Sequence, residues 1–177
     1  MAASDPNPRA DAPSIEGHAY LSAAELGGRL EEEIGRAERH GTQLSLLLVV
    51  IEDLEEMARE HGSELPEQTL AYIAGALRRE LRRFDRVGRP AEHELVILLP
   101  GADSPRGEMV GRRVLERVST IKVEADGARR PLRVSLGLAA WRPDTTAAQL
   151  LARARAATRV GNGENGHGAF PAPGPAR

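Results

Sequence analysis

The stretch LRRFDRVGRPAEHELVILLPG, Leu81 to Gly101, decides the fold. Its second half, ELVILLP (Glu94–Pro100), is a continuous run of branched apolar residues of strand length. Such a run offers no polar face to water and reads as a strand buried on both sides. Its first half carries four arginines and Asp85. Within it, Asp85 to Arg89 has the length of a short strand. The intervening Pro-Ala-Glu-His-Glu is short enough for a hairpin connection, although it lacks the Asn-Gly turn signal.

Upstream, Leu70, Ile73, Leu77, Leu81 and Phe84 keep helical spacing, which predicts a long helix from about Pro66 to Arg83. Before it, LSLLLVVI (Leu44–Ile51) reads as a second doubly buried strand. Leu26, Leu30, Ile34 and Ala37 lie on one face of a first helix, which His40-Gly41 ends. Downstream, Asp103-Ser104-Pro105 starts a helix with a capping residue ahead of proline, and Val110, Val114, Leu115 and Val118 form its apolar face. PLRVSLGLAAW (Pro131–Trp141) reads as a strand. Asp144-Thr145-Thr146 caps a last helix carrying Leu150, Leu151, Ala154 and Ala157. The order α-β-α-β-β-α-β-α predicts an α+β fold: a mixed β-sheet with flanking helices on the ferredoxin-like βαββαβ plan.

The bulk numbers fit one domain. The 177 residues are 41% apolar and 28% charged, with a net charge of -2 and no cysteine. This composition is that of a soluble globular chain without disulfides or thiolate metal sites, and gives no global attraction to nucleic acid or anionic membrane. No run approaches the ~20 apolar residues of a membrane span. The start lacks the basic-then-apolar order of a signal peptide, so a cytoplasmic location is expected. Residues 1–17 and 161–177, rich in Pro, Gly and Ala, are expected to be disordered around a folded domain of residues 18–160. Of the 24 basic residues one is lysine, Lys122, so the number of arginines carries little functional weight by itself.

At three places the sequence resembles the GGDEF domains of diguanylate cyclases. LLLVVIEDLEEMAREHG (Leu46–Gly62) is similar to that family's first strand and its exit. RVGRPAEHELVILLPG (Arg86–Gly101) is similar to the signature hairpin, and VSLGLAAW (Val134–Trp141) to a late strand. The resemblance covers about residues 20 to 160. It implies a bacterial signalling domain whose active members join two GTP molecules at a two-metal site, where metal ions neutralise charge on entering and leaving oxygens.

The departures bear on that chemistry. The position of the family's first metal aspartate is Val50, and the signature GGDEF reads Ala91, Glu92, His93, Glu94 and Leu95. Valine cannot ligate, and histidine is a poor ligand for magnesium, which takes hard oxygen donors. Side chains at positions 91 and 92 crowd the backbone approach that glycines allow. The family's guanine-reading pair on the following helix matches Ala58 and Arg59, and its phosphate-pairing lysine matches Glu55. A second such lysine is missing, since none follows Lys122. The resemblance with these losses implies a catalytically inactive domain with no magnesium site and no cofactor.

One family feature is retained. An Arg-x-x-Asp five residues ahead of the signature marks a site that binds the product, cyclic di-GMP. Here Arg82 and Asp85 stand at that spacing before Ala91, and the match places the site's further arginine at Arg113. Arginine pairs with guanine's O6 and N7 edge and with phosphate, and aspartate accepts from guanine's N1 and N2 donors. Arg79, Arg83 and Arg86 are electrostatic helpers, with Arg78 and Arg89 as solvated neighbours. The resemblance implies a cyclic di-GMP receptor that signals to an unidentified regulatory protein or enzyme, with a ligand pair able to bridge a homodimer. An Arg-x-x-Asp can equally be a solvated i, i+3 ion pair at a helix end.

The alternatives are a scaffold that binds no nucleotide, or an enzyme that uses Glu52, Asp53, His93 and Glu94 on another nucleotide. Nucleic-acid binding is not expected, because the arginines lack interleaved aromatics. The histidines form no zinc pattern. Glu31-Glu32-Glu33 and Glu55-Glu56 read as exposed helix faces, Gly27-Gly28 as part of a helix and Trp141 as packing.

Overall fold

Strand β1 (Leu44–Ile51) is the spine of the sheet. In the computed structural model, which describes residues 19–161, it has a strand on either side. The other elements are α1 (Ala23–His40), α2 (Leu54–His61), α3 (Glu64–Glu80), β2 (Arg86–Ala91), β3 (Glu94–Pro100), α4 (Ser104–Ser119), β4 (Lys122–Ala125), β5 (Ala128–Pro131), β6 (Val134–Ala140) and α5 (Ala147–Gly161). The main sheet has the order β2-β3-β1-β6. Its named ladders are all antiparallel. The expected mixed character is confined to one parallel bridge, Leu21 with Gly88. The physical reason lies in the crossovers. Each βαβ excursion places its two parallel strands either side of a third, so parallel strands are never neighbours.

Successive β1 side chains alternate between two cores. Leu47, Val49 and Ile51 pack with Leu70, Ile73 and Leu77 of α3 and Val114 and Val118 of α4. Leu44, Leu46 and Leu48 pack with Leu26, Leu30 and Ile34 of α1 and Leu150 and Ala154 of α5. Each fully buried Leu or Ile stabilises the fold by roughly 1.5–3 kcal/mol, so these layers hold the sheet.

The helix ends follow local chemistry. Ser22 and Glu25 form a capping box at the start of α1, and Gly41 ends it in the left-handed conformation at φ 61°. The Asp103 side chain accepts from the Arg106 amide at 3.0 Å. Thr146, the last residue of the predicted cap, accepts from the Gln149 amide at 3.2 Å.

Several expectations are corrected. The segment after β1 holds two helices, because Gly62 at φ 78° breaks the chain between α2 and α3. Helix α3 stops at Glu80, since Leu81 is extended, so Phe84 leaves the helical face and is 69% exposed. Glu33 is buried, not solvated, because Arg29 at 2.9 Å and Arg36 at 3.6 Å pair with it. The hairpin β4–β5, turned by Asp126-Gly127, was not foreseen. The disorder expected for residues 1–17 and 161–177 lies outside the described residues, apart from Gly161, the last residue of α5. Among the described residues no helix is long and apolar enough to cross a membrane.

Candidate functional site

Two places follow from the sequence: the cluster around Val50 and the turn from Arg82 to Asp85. Val50 stands opposite Glu94 in one ladder and opposite Ser135 in the other. The hairpin β2–β3 turns on Glu92 and His93, with Ala91 paired to Glu94 and Leu95 fully buried. His93 contributes its carbonyl to the Ile51 amide at 3.1 Å. The nearby carboxylates each have a partner. Glu94 is held by Arg155 of α5, at 3.0 Å from Nε and 2.6 Å from Nη2. Asp53 accepts from the Arg133 amide and guanidinium at 2.5 and 2.6 Å. Glu52 accepts from the Ser135 hydroxyl. Among the described residues no three His, Asp or Glu side chains come together in a metal-holding group. Arg155 and Arg133 were not singled out from sequence, because their partners lie 61 and 80 residues away.

The Arg82–Asp85 segment is a turn and not, as expected, a helix end. The Arg82 amide donates to Asp85 Oδ2 at 2.8 Å, and the Asp85 amide donates to the Arg82 carbonyl at 3.1 Å. This reciprocal closure follows from Asp85, whose short carboxylate reaches its own local backbone. Arg86 braces the turn from below, donating to the carbonyls of Arg83 and Asp85 at 2.6 and 2.9 Å. Burial pushes the Asp85 carboxyl above the ordinary aspartate range, against the Arg82 amide bond and the charges of Arg82, Arg86 and Arg113.

Beside the turn lies a pocket of about 520 Å³, lined by Tyr20, Leu81 and Val87 together with Arg78, Arg82, Arg83, Asp85 and Arg86. Among the described residues, the guanidiniums of Arg78, Arg82 and Arg83 form no ion pair or hydrogen bond. Several cations without an ion-pair partner around a cleft attract an anion and offer forked donors to phosphate or a guanine edge. Arg113 is not presented in the same way. Its Nη2 donates to the Glu80 carbonyl at 2.5 Å and lies 3.7 Å from the Glu80 carboxylate, although its charge reaches Asp85. Arg79 is exposed on α3.

Arg89 is more than a solvated neighbour. Two bonds of 2.7 Å join it to Glu67, a third of 3.1 Å goes to the Tyr20 hydroxyl and a fourth of 3.0 Å to the Glu92 carbonyl. Tyr20 itself had no periodic or motif signal in the sequence.

The family profile described as "Diguanylate cyclase, GGDEF domain" matches residues 24–165. Diguanylate cyclase DgcP of Pseudomonas aeruginosa is 29% identical over 118 residues, which is 67% of this chain and 18% of that protein. The chain thus spans under a fifth of that relative's length. Diguanylate cyclase SiaD of P. aeruginosa, solved in complex with its activator SiaC, superposes with a TM-score of 0.75 at 27% identity, covering 86% of this chain and 59% of that one. The GGDEF domain of DgcB from Caulobacter crescentus, solved in complex with c-di-GMP, gives a TM-score of 0.72 at 18% identity, covering 80% and 82%, a likeness of fold alone. With most of its length inside that profile, and a hairpin standing where the signature is carried, the chain belongs to the GGDEF domain family.

Proposed function

We propose that this chain is a GGDEF domain that does not make cyclic di-GMP but binds it, at the Arg82–Asp85 turn, and passes the state of that site to a regulatory protein or enzyme. The observation that carries the reading is the pocket beside the turn, which Arg78, Arg82 and Arg83 line together with half-buried Asp85, their guanidiniums forming no ion pair among the described residues. Arg82 and Arg83 supply forks for phosphates and guanine edges, and the remaining lone pairs of Asp85 take the guanine N1 and N2 protons. Arg113 joins them by leaving Glu80, and Arg79 and Arg86 add positive potential. A ligand pair shared between two such turns would bridge two copies of the chain. The solved complexes of DgcB with c-di-GMP and of SiaD with its activator SiaC support the two kinds of contact, ligand and protein, for domains of this fold.

Loss of cyclase chemistry is supported by Val50, which puts an apolar side chain between Glu94 and Ser135. It is supported too by the separate partners of Glu52, Asp53 and Glu94, which leave no convergent carboxylates for magnesium. The same pairing counts against an enzyme of altered nucleotide chemistry built on these residues and His93.

The scaffold that binds no nucleotide draws on a different observation: the turn is closed by its own backbone and by Arg86, so it stands without a ligand. Thermal unfolding separates the two. A receptor gains stability with cyclic di-GMP and not with GTP and magnesium. A scaffold unfolds at the same temperature in all three conditions.

A further inference from the structure

We propose that Tyr20 is the base-facing wall of the arginine pocket, its ring supplying the flat apolar surface on which a purine of the bound ligand stacks. This rests on the reading of the pocket as a guanine nucleotide site. It adds a contact from the lead-in to α1, outside the arginine turn. Arginines and a carboxylate recognise phosphates and base edges, but a base also presents two apolar faces that water solvates poorly. Of the four aromatic residues among those described, Tyr72 and Trp141 are buried, Phe84 projects into solvent from the turn, and Tyr20 lines the pocket with Arg82 and Asp85.

Tyr20 is held in place before any ligand arrives. Its neighbour Leu21 donates to the Val87 carbonyl at 2.9 Å and accepts from the Arg89 amide at 2.8 Å. This binds the lead-in to the edge of β2. Helix α1, which follows the lead-in, also packs closely on β2 at Gly88, where a Cβ would meet Leu26 Cδ1 at 2.7 Å. The side chain is fixed from the other end. Arg89 donates to the hydroxyl at 3.1 Å, its guanidinium carbon lies 5.8 Å from the ring centroid, and Glu67 fixes Arg89 in turn. A ring already ordered loses little freedom on binding. Glu67 and Arg89 are positioning residues for Tyr20.

The test is calorimetric titration of the full chain and its variants with cyclic di-GMP. Tyr20→Ala and Tyr20→Leu should weaken binding about tenfold or more, since leucine keeps bulk but has no π face. Tyr20→Phe, which keeps the ring, should stay within about threefold of wild type. Phe84→Ala should also bind as wild type. Should Tyr20→Ala not fold, the leucine and phenylalanine variants decide. Wild-type affinity in Tyr20→Leu would overturn the inference while leaving the arginine site intact, provided Arg82→Ala still loses binding. Equal losses in Tyr20→Leu and Tyr20→Phe would overturn it by assigning the effect to the hydroxyl. No binding by wild type would overturn the pocket reading and this inference with it.

Discussion

The guanidinium of Arg155 holds both carboxylate oxygens of Glu94, at 3.0 and 2.6 Å, and Val50 stands opposite Glu94 in the strand ladder. A fixed organic cation thus neutralises an acid of the hairpin beside Val50. On the proposed reading Val50 occupies the family's metal-aspartate position, and an aspartate placed there alone leaves the Arg155–Glu94 pair and His93 unchanged. Val50→Asp should therefore give no magnesium-dependent conversion of GTP. Chromatography of an overnight reaction checks this, and cyclic di-GMP among the products would contradict it.

If the turn binds cyclic di-GMP as proposed, Asp85 should make that binding sensitive to acid. Its carboxyl lies above the ordinary aspartate range because the turn desolvates it. Guanine donors pair with the ionised form. Affinity should be full at neutral pH and fall as pH drops through the raised value, while an ordinary exposed aspartate is still charged. For folding the sign opposes that of a salt-bridged acid. Ionised Asp85 disfavours the fold above its raised pKa, and the penalty disappears below the unfolded value. Calorimetry across acid pH checks the binding, and Asp85→Asn should flatten the profile.

Gly137 on β6 has no room for a side chain, since a Cβ there would meet the Ala154 carbonyl oxygen at 2.1 Å. Helix α5 would have to lift from the sheet. Gly137→Ala should cost roughly 3 kcal/mol in urea unfolding, the upper range for an overpacked core. A loss below ~0.5 kcal/mol would mean that α5 is not seated as described.

Glu67 should contribute modestly. Arg89 holds its carboxyl below the ordinary glutamate range through two hydrogen bonds. That stabilisation is present above the unfolded glutamate pKa and is lost as pH falls through the depressed folded value. Its side chain is 53% exposed, so screening limits the effect. Glu67→Gln should cost under about 1 kcal/mol at neutral pH, measured by urea unfolding.

The sequence was most legible where period and burial agree. Leu26, Leu30, Ile34 and Ala37 are all buried as read, and β3 has the predicted bounds Glu94–Pro100. It was least legible where one backbone angle redirects the chain. The stop after Glu80 lies inside an unbroken apolar period, so the spacing carries Phe84 into a helix that has already ended, while α2, ended by Gly62, lies ahead of that period and is too short to show one of its own. The hairpin at Asp126-Gly127 did carry a turn signal, but its strands are four residues each and lack an alternating pattern. At the site, Arg82, Asp85 and Arg86 share one turn because they are neighbours in sequence. Tyr20 reaches the same pocket only through the bridge of Leu21 to Gly88, and Arg155 reaches Glu94 only through the packing of α5. No local pattern announces either.

The central claim is that the Arg82–Asp85 turn binds cyclic di-GMP. Calorimetric titration of the full chain with cyclic di-GMP measures it directly. The account predicts binding near micromolar, about -8 kcal/mol. It further predicts that Arg82→Ala costs roughly 1.5–3 kcal/mol of binding, that Asp85→Ala also weakens it, and that both variants stay folded. No heat from the wild-type chain, or an affinity unchanged by Arg82→Ala, would contradict it.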